Sequence, residues 1–346
     1  MIRRTLLAWG AGVALLAPGA SHAGIERAGT TAANFLSVGT GPAVLAMGGT
    51  ALGRWGSLDL TTWNPGTLGW LESGSVVLSH ANLDVQTAQE WVGLGGRLGT
   101  LPTRWALSGL YQGEGTIEGR DASNQPTGAI TTSSVAVTGY LAQPFGPHVA
   151  VGFGAKGVRE DLGAGVHGTG VAFDAGLSAR FGMLGLGAAA QNAFGHIRYS
   201  GIAYPFPASY GAGVSFAHAA SGLTAACDVN VPDAYYTNVR GGIEWQWKQR
   251  VALRAGYRAE LGAEAGEPLA GPTFGMGAGA HGLWLDYGYL LAGNQNGQHR
   301  IAITFRPRDM NWKVGDPFGQ RDMPREFGDS KLIGPPAPPA TEGKKD

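Results

Sequence analysis

Apolar and polar residues alternate along most of the chain. In 251–258, Val251, Leu253, Ala255 and Tyr257 share one face, and Ala252, Arg254, Gly256 and Arg258 share the other. The same period of two runs through 283–289, 301–306, 239–248 and 171–181. Alternation over such lengths predicts strands with one apolar and one polar face. Fourteen segments read this way, near 72–81, 85–98, 103–114, 130–143, 147–160, 168–182, 184–198, 207–217, 223–232, 237–248, 250–260, 270–281, 283–291 and 298–306. Several run ten residues or more, where soluble sheets favour about 5–6 and a tilted span of a bilayer takes about 9–11. Connectors at 144–146, 182–183, 249–250 and 281–282 are short; those at 115–129, 160–168, 197–206, 261–269 and 292–297 are longer and polar, while Asn82-Leu83-Asp84 reads as a short turn on the long-loop side. Short turns on one side and long loops on the other predict an antiparallel transmembrane β-barrel with both termini periplasmic. A soluble β-sandwich is the competing architecture, and strands this long argue against it.

Three stretches fall outside this pattern. Residues 1–23 have the layout of a secretory signal: Arg3 and Arg4, an apolar run from Leu6 to Ala17, and Ser21-His22-Ala23 before the cut. Residues 24–71 are apolar and Gly-rich without alternation. Phe35, Leu36, Val38, Val44, Leu45 and Met47 are too apolar for a free leader, so this segment is expected to be plug-like, inside or beneath the barrel 72–306. It either gates a lumen or fills the barrel base, and the sequence leaves both open. Within it, Trp63-Asn64-Pro65-Gly66 carries a turn signal. Residues 307–346 are Pro-rich and charged, ending in Gly334-Pro335-Pro336-Ala337-Pro338-Pro339 and a polar remainder, and are expected to form a disordered, flexible periplasmic tail.

Composition narrows the function. Gly makes up 59 of 346 residues, and 25 basic residues cancel 25 acidic ones. That balance lacks the basic field of a nucleic-acid binder. The single Cys227 can form neither an internal disulfide nor a Cys-based zinc site. It lies on an apolar face with Ala225 and Val229, as a small buried hydrophobe would. No cofactor, metal or catalytic motif emerges: the Gly185-Leu186-Gly187-Ala188-Ala189-Ala190 run sits inside an alternating strand, without the helix that dinucleotide binding requires. The chain therefore reads as a non-enzyme, although a motif search does not reach a site assembled from distant strands.

Alternation also sorts the charges. Lys156, Asp174, Arg180, Asp228, Arg240, Glu244, Arg254, Asp286 and Arg300 fall on the inward face. A lipid-facing charge would cost roughly 2–4 kcal/mol near the midplane. Arg254, Asp286 and Arg300, on near-neighbouring strands, form the candidate cluster, either lining a conduit or supporting barrel and plug. Trp245, Trp247, Tyr257, Tyr287 and Tyr289 fit an aromatic girdle better than a ligand-stacking site.

Several motifs resemble known barrels. Gly29-Thr30-Thr31-Ala32-Ala33-Asn34-Phe35-Leu36-Ser37-Val38-Gly39, Ala46-Met47-Gly48-Gly49 and Trp63-Asn64-Pro65-Gly66 are similar, in order, to the start of mature PorV/PorQ family proteins, and more loosely to the fatty acid transporter FadL. Val251-Ala252-Leu253-Arg254-Ala255-Gly256-Tyr257, Leu285-Asp286-Tyr287-Gly288-Tyr289 and His299-Arg300-Ile301 resemble the late strands of that family. Arg54-Trp55-Gly56-Ser57-Leu58-Asp59 departs from its acidic stretch. The resemblance implies a fourteen-stranded FadL-like barrel in outer-membrane lipid. Its main functional implication is a barrel that binds secreted proteins or secretion-machine components, as in type IX secretion. The alternative implication is a channel for a hydrophobic ligand.

Overall fold

The computed structural model describes residues 25–84, 86–263, 270–291 and 297–306. The expected signal at 1–23 and tail at 307–346 lie outside the described residues.

The alternating region forms one antiparallel sheet. Its strands are β1 (Ser75–Asp84), β2 (Thr87–Arg97), β3 (Arg104–Arg120), β4 (Pro126–Phe145), β5 (Val149–Asp161), β6 (His167–Phe181) and β7 (Leu184–Tyr199). There follow β8 (Ile202–Pro205), β9 (Ser209–His218), β10 (Leu223–Pro232), β11 (Asn238–Trp247), β12 (Val251–Glu260), β13 (Gly271–Ala280), β14 (Leu283–Leu290) and β15 (Gln298–Phe305). Apart from β8, each strand pairs with the next in sequence, β7 pairing directly with β9, and β1 with β15 closes the ring. The four-residue β8 pairs only with the upper end of β7, opposite His196 to Tyr199, so fourteen strands close the barrel.

Two segments differ from expectation. Residues 115–129 form the tip of a long β3–β4 hairpin rather than a loop, with Glu118 opposite Ala129. This tip rises past the last rungs to its neighbours, at Thr87↔Glu114 and Ser133↔Asp161. Outside the bilayer no apolar face is required, so its Gly- and Thr-rich strands lack the alternation that marks the rest. Asn82-Leu83-Asp84 belongs to β1 rather than to a turn, because Leu83 points into the barrel; the chain reverses near Gln86 (φ 68°).

The turns match their chemistry. Lys248 and Gln249 (φ 48° and 53°), and His281 and Gly282 (53° and 84°), occupy paired left-handed positions of tight hairpins. The first and last barrel strands meet at this short-turn end, where Val76 faces Phe305.

The outer face is apolar. Phe153 is 62% exposed, and Leu141, Val171, Leu253 and Ile303 are exposed with it. An apolar band around a closed barrel is far larger than the patches water-soluble proteins tolerate. A barrel leaves no unpaired strand edge, so hydrocarbon can surround it. The protein is an outer-membrane β-barrel; the described residues contain no helix long and apolar enough to cross a membrane. Trp245, Trp247, Tyr257, Tyr287 and Tyr289 all stand on the outer face, where the Tyr287 hydroxyl and the His299 Nδ1 lie 2.8 Å apart. Cys227 is also exposed on this face, against the expectation of a buried residue. Barrel interiors are polar, so its apolar neighbours point to lipid rather than to a protein core. The closed barrel is expected to migrate differently on a detergent gel before and after boiling; identical mobility would contradict it.

Candidate functional site: a plugged lumen

Residues 25–71 enter the barrel as short helical turns, Ile25–Arg27, Asn34–Ser37, Pro42–Leu45, Leu58–Thr62 and Pro65–Trp70. Such turns leave many backbone N–H and C=O groups without partners of their own. The inward face of the barrel supplies many of them. Asp228 Oδ2 accepts the amides of Ala51 (2.7 Å) and Leu52 (2.9 Å). Thr273 Oγ1 accepts the Gly48 amide and donates to the Ala46 carbonyl. Ser215 donates to the Gly53 carbonyl, Gln191 to that of Thr62, and Arg104 to that of Leu71.

Asn64 is the plug's central joint and is fully buried. Its Nδ2 donates to the Leu52 carbonyl (2.8 Å) and to the Leu177 carbonyl of β6 (3.0 Å), while Oδ1 accepts the Gly66 amide (2.9 Å). That last bond caps the Pro65–Trp70 turn, with Pro65 at its first position. Trp63 Nε1 donates to the Thr40 carbonyl, and the Arg240 guanidinium lies 4.9 Å from the Trp63 ring centroid.

The candidate charge cluster separates. Arg254 bridges Glu244 (2.5 Å) and Asp286 (2.6 Å) across β11, β12 and β14. Arg300 stands apart, donating to the carbonyls of Gly39 (2.8 Å) and Val38 (3.0 Å). Arg240 donates to Asn238 and to the Gly49 carbonyl. Asp174 pairs with Lys156 at 3.2 Å and accepts the amide of Asn192, a residue at φ 51° beside a register shift in the β6–β7 ladder. Burial pushes the Arg54 guanidinium of the plug below its ordinary range, against the pull of Glu244. Among the described residues no three His, Cys, Asp or Glu side chains gather as a metal site.

The plug also needs a smooth wall. A Cβ on Gly187 of β7 would lie closer than 3.0 Å to the Leu52 carbonyl, and one on Gly242 of β11 would meet Met47 in the same way. Inward glycines that admit plug backbone were the part of the site that charge and motif searching passed over. Their signal was present: glycine on the lumen side of otherwise well-formed strands.

Above these contacts, plug and wall line a cavity of about 430 Å³. Trp91, Leu110, Ala136 and Tyr140 of β2–β4 form an apolar side, continued by Leu36, Val38 and Trp63 of the plug. Lys156, Asn192, Asn230, Asn238, Arg240 and Arg258 form the polar side. A chamber of this size suits a small organic molecule.

No family profile and no curated protein matches the chain. Among solved structures it is similar to the Ralstonia pickettii toluene transporter TbuX, at 14% identity and TM-score 0.57, over 78% of this chain and 98% of that one. It is similar to the P. putida toluene transporter TodX, at 13% and 0.54, over 77% and 98%. A Pseudomonas aeruginosa FadL homologue gives 10% and 0.52, over 77% and 98%. At these identities the likeness is one of fold. It agrees with the broader FadL-like resemblance of the motifs and lends nothing to the narrower PorV/PorQ one.

Proposed function

We propose that this barrel carries hydrophobic small molecules across the outer membrane, with residues 25–71 as the plug that controls passage. The chamber between plug and wall carries this reading. It joins an apolar wall to a polar one at a size fit for a ligand, inside a fold similar to that of two toluene transporters. The chemistry asked of the chain is binding and release, with no bond made or broken. The expectation of secreted-protein partners gives way to this one, because it leaned on the PorV/PorQ resemblance and the comparisons favour the hydrophobic channel. The lumen charges then support the plug rather than conduct ions, since Asp228, Arg240 and Arg300 all bond plug backbone.

Binding of an apolar fluorescent probe to the purified barrel tests the reading. Leu110→Trp fills part of the chamber and is expected to weaken binding about tenfold, equivalent to about 1.4 kcal/mol, with gel mobility unchanged. Absence of probe binding by the parent, together with recovery of exported proteins in crosslinked pull-downs, would overturn it.

A further inference from the structure

We propose that a single halide ion, chloride in the cell envelope, binds between Arg258 and Arg300 and fastens the plug to the barrel wall. This goes beyond the passage of hydrophobic compounds and does not depend on it.

Arg258 of β12 and Arg300 of β15 line one small void of about 30 Å³, together with Thr273, Gln298 and the plug residues Gly48 and Gly49. Two strands, β13 and β14, separate them in the sheet, so only something inside the barrel can join them. Arg300 Nη1 and Nη2 hold the Gly39 and Val38 carbonyls, and Arg258 Nη2 holds Glu260 at 3.0 Å. The Nε–H groups are different. Among the described residues, Arg258 Nε and Arg300 Nε are both buried with no acceptor. Arg300 as a whole is only 3% exposed. A buried donor left unsatisfied is rare, and it is costlier on a charged group.

The charge balance selects the kind of acceptor. Three guanidinium groups, Arg240, Arg258 and Arg300, flank this side of the plug. Among the described residues two carboxylates serve them: Glu260, bonded to Arg258, and Asp228, already taken by the amides of Ala51 and Leu52. Among the described residues these three arginines exceed their carboxylates by one charge. The neighbouring group has the opposite sign, with Arg54 and Arg254 against Asp59, Glu244 and Asp286. A water could accept both Nε–H bonds but would leave Arg300, which forms no ion pair among the described residues and bonds only the Gly39 and Val38 carbonyls, without an anion in contact, which a low-dielectric interior penalises. The void is small, and a compact anion suits it better than a bulky one. A halide accepts from several donors at once and needs no donor in return, which suits a site lined by guanidinium groups.

Crystals of the full chain soaked in bromide test this directly. The expected result is an anomalous peak between Arg258 Nε and Arg300 Nε, lost in Arg258→Gln. Melting in detergent supplies a second readout: replacing chloride by gluconate should lower the midpoint of the parent by about 2–4 °C and leave Arg258→Gln unmoved. Heat-modifiable mobility establishes that the variant folds. A position holding only water, a peak that survives Arg258→Gln, or melting indifferent to the anion in the parent would each overturn the site. Apolar-probe binding is scored separately, so loss of one reading leaves the other standing.

Discussion

Replacing Asp228 by Ala is expected to release the plug while leaving the barrel closed. Asp228 is 1% exposed, and one of its oxygens holds two consecutive plug amides, those of Ala51 and Leu52. Hydrogen bonds to a charged acceptor are worth about 1.5–3 kcal/mol each, so losing two should weaken the plug's docking by about 3–6 kcal/mol. Two amides would also be left buried and unpaired, which drives local opening rather than a quiet repacking. The measurement is twofold: limited proteolysis of residues 45–60 in the folded barrel, and conductance in a planar bilayer. The variant should be cut in that stretch and pass ions where the parent does not. Asp228→Asn, whose Oδ1 can still accept both amides but carries no charge, should fall between them. A variant as resistant and as silent as the parent would show that the plug rests on its apolar packing alone.

Gly187→Val is expected to be the most damaging single change in the wall. A side chain there would run into the Leu52 carbonyl and the Asn64 Nδ2, and a carbonyl cannot rotate away as a flexible side chain can. Overpacking a filled interior costs typically 1–3 kcal/mol, and a collision with fixed backbone belongs at the upper end, about 3 kcal/mol. Denaturant unfolding followed by tryptophan fluorescence reads the loss, and the plug should become protease-sensitive with it. Gly139→Val is the control. Gly139 lies on the lipid face with open space around its Cα, so a valine there should be neutral. Equal losses at both positions would mean that glycine serves strand flexibility in general and not the approach of the plug.

These two residues show how far the chain could be read without coordinates. Asp228 was placed on the inward face by parity alone, because alternation assigns a side to every residue in a strand. Its partner was out of reach: nothing in Ala51 or Leu52 marks them as amides awaiting a carboxylate across 177 and 176 positions of chain. Arg254 and Asp286 come together because β12 and β14 are separated by one strand, whereas Arg300 turns to the plug, whose path through the lumen has no periodicity to follow. The β3–β4 tip is not legible in the sequence, for the opposite reason. Its strands stand clear of lipid, and without an apolar face they carry no alternation to read.

Strand number, the two faces and the side of each turn follow from local rules, since side chains alternate along any strand and a bilayer punishes exposed polarity. They were legible because each depends on residues adjacent in the chain. Ring closure, the position of residues 25–71 within it, the chamber beside Trp91 and the arginines around the plug depend on contacts between residues up to 262 positions apart. Those contacts form where a non-repeating segment meets a polar wall, and only packing in three dimensions selects which donor meets which acceptor.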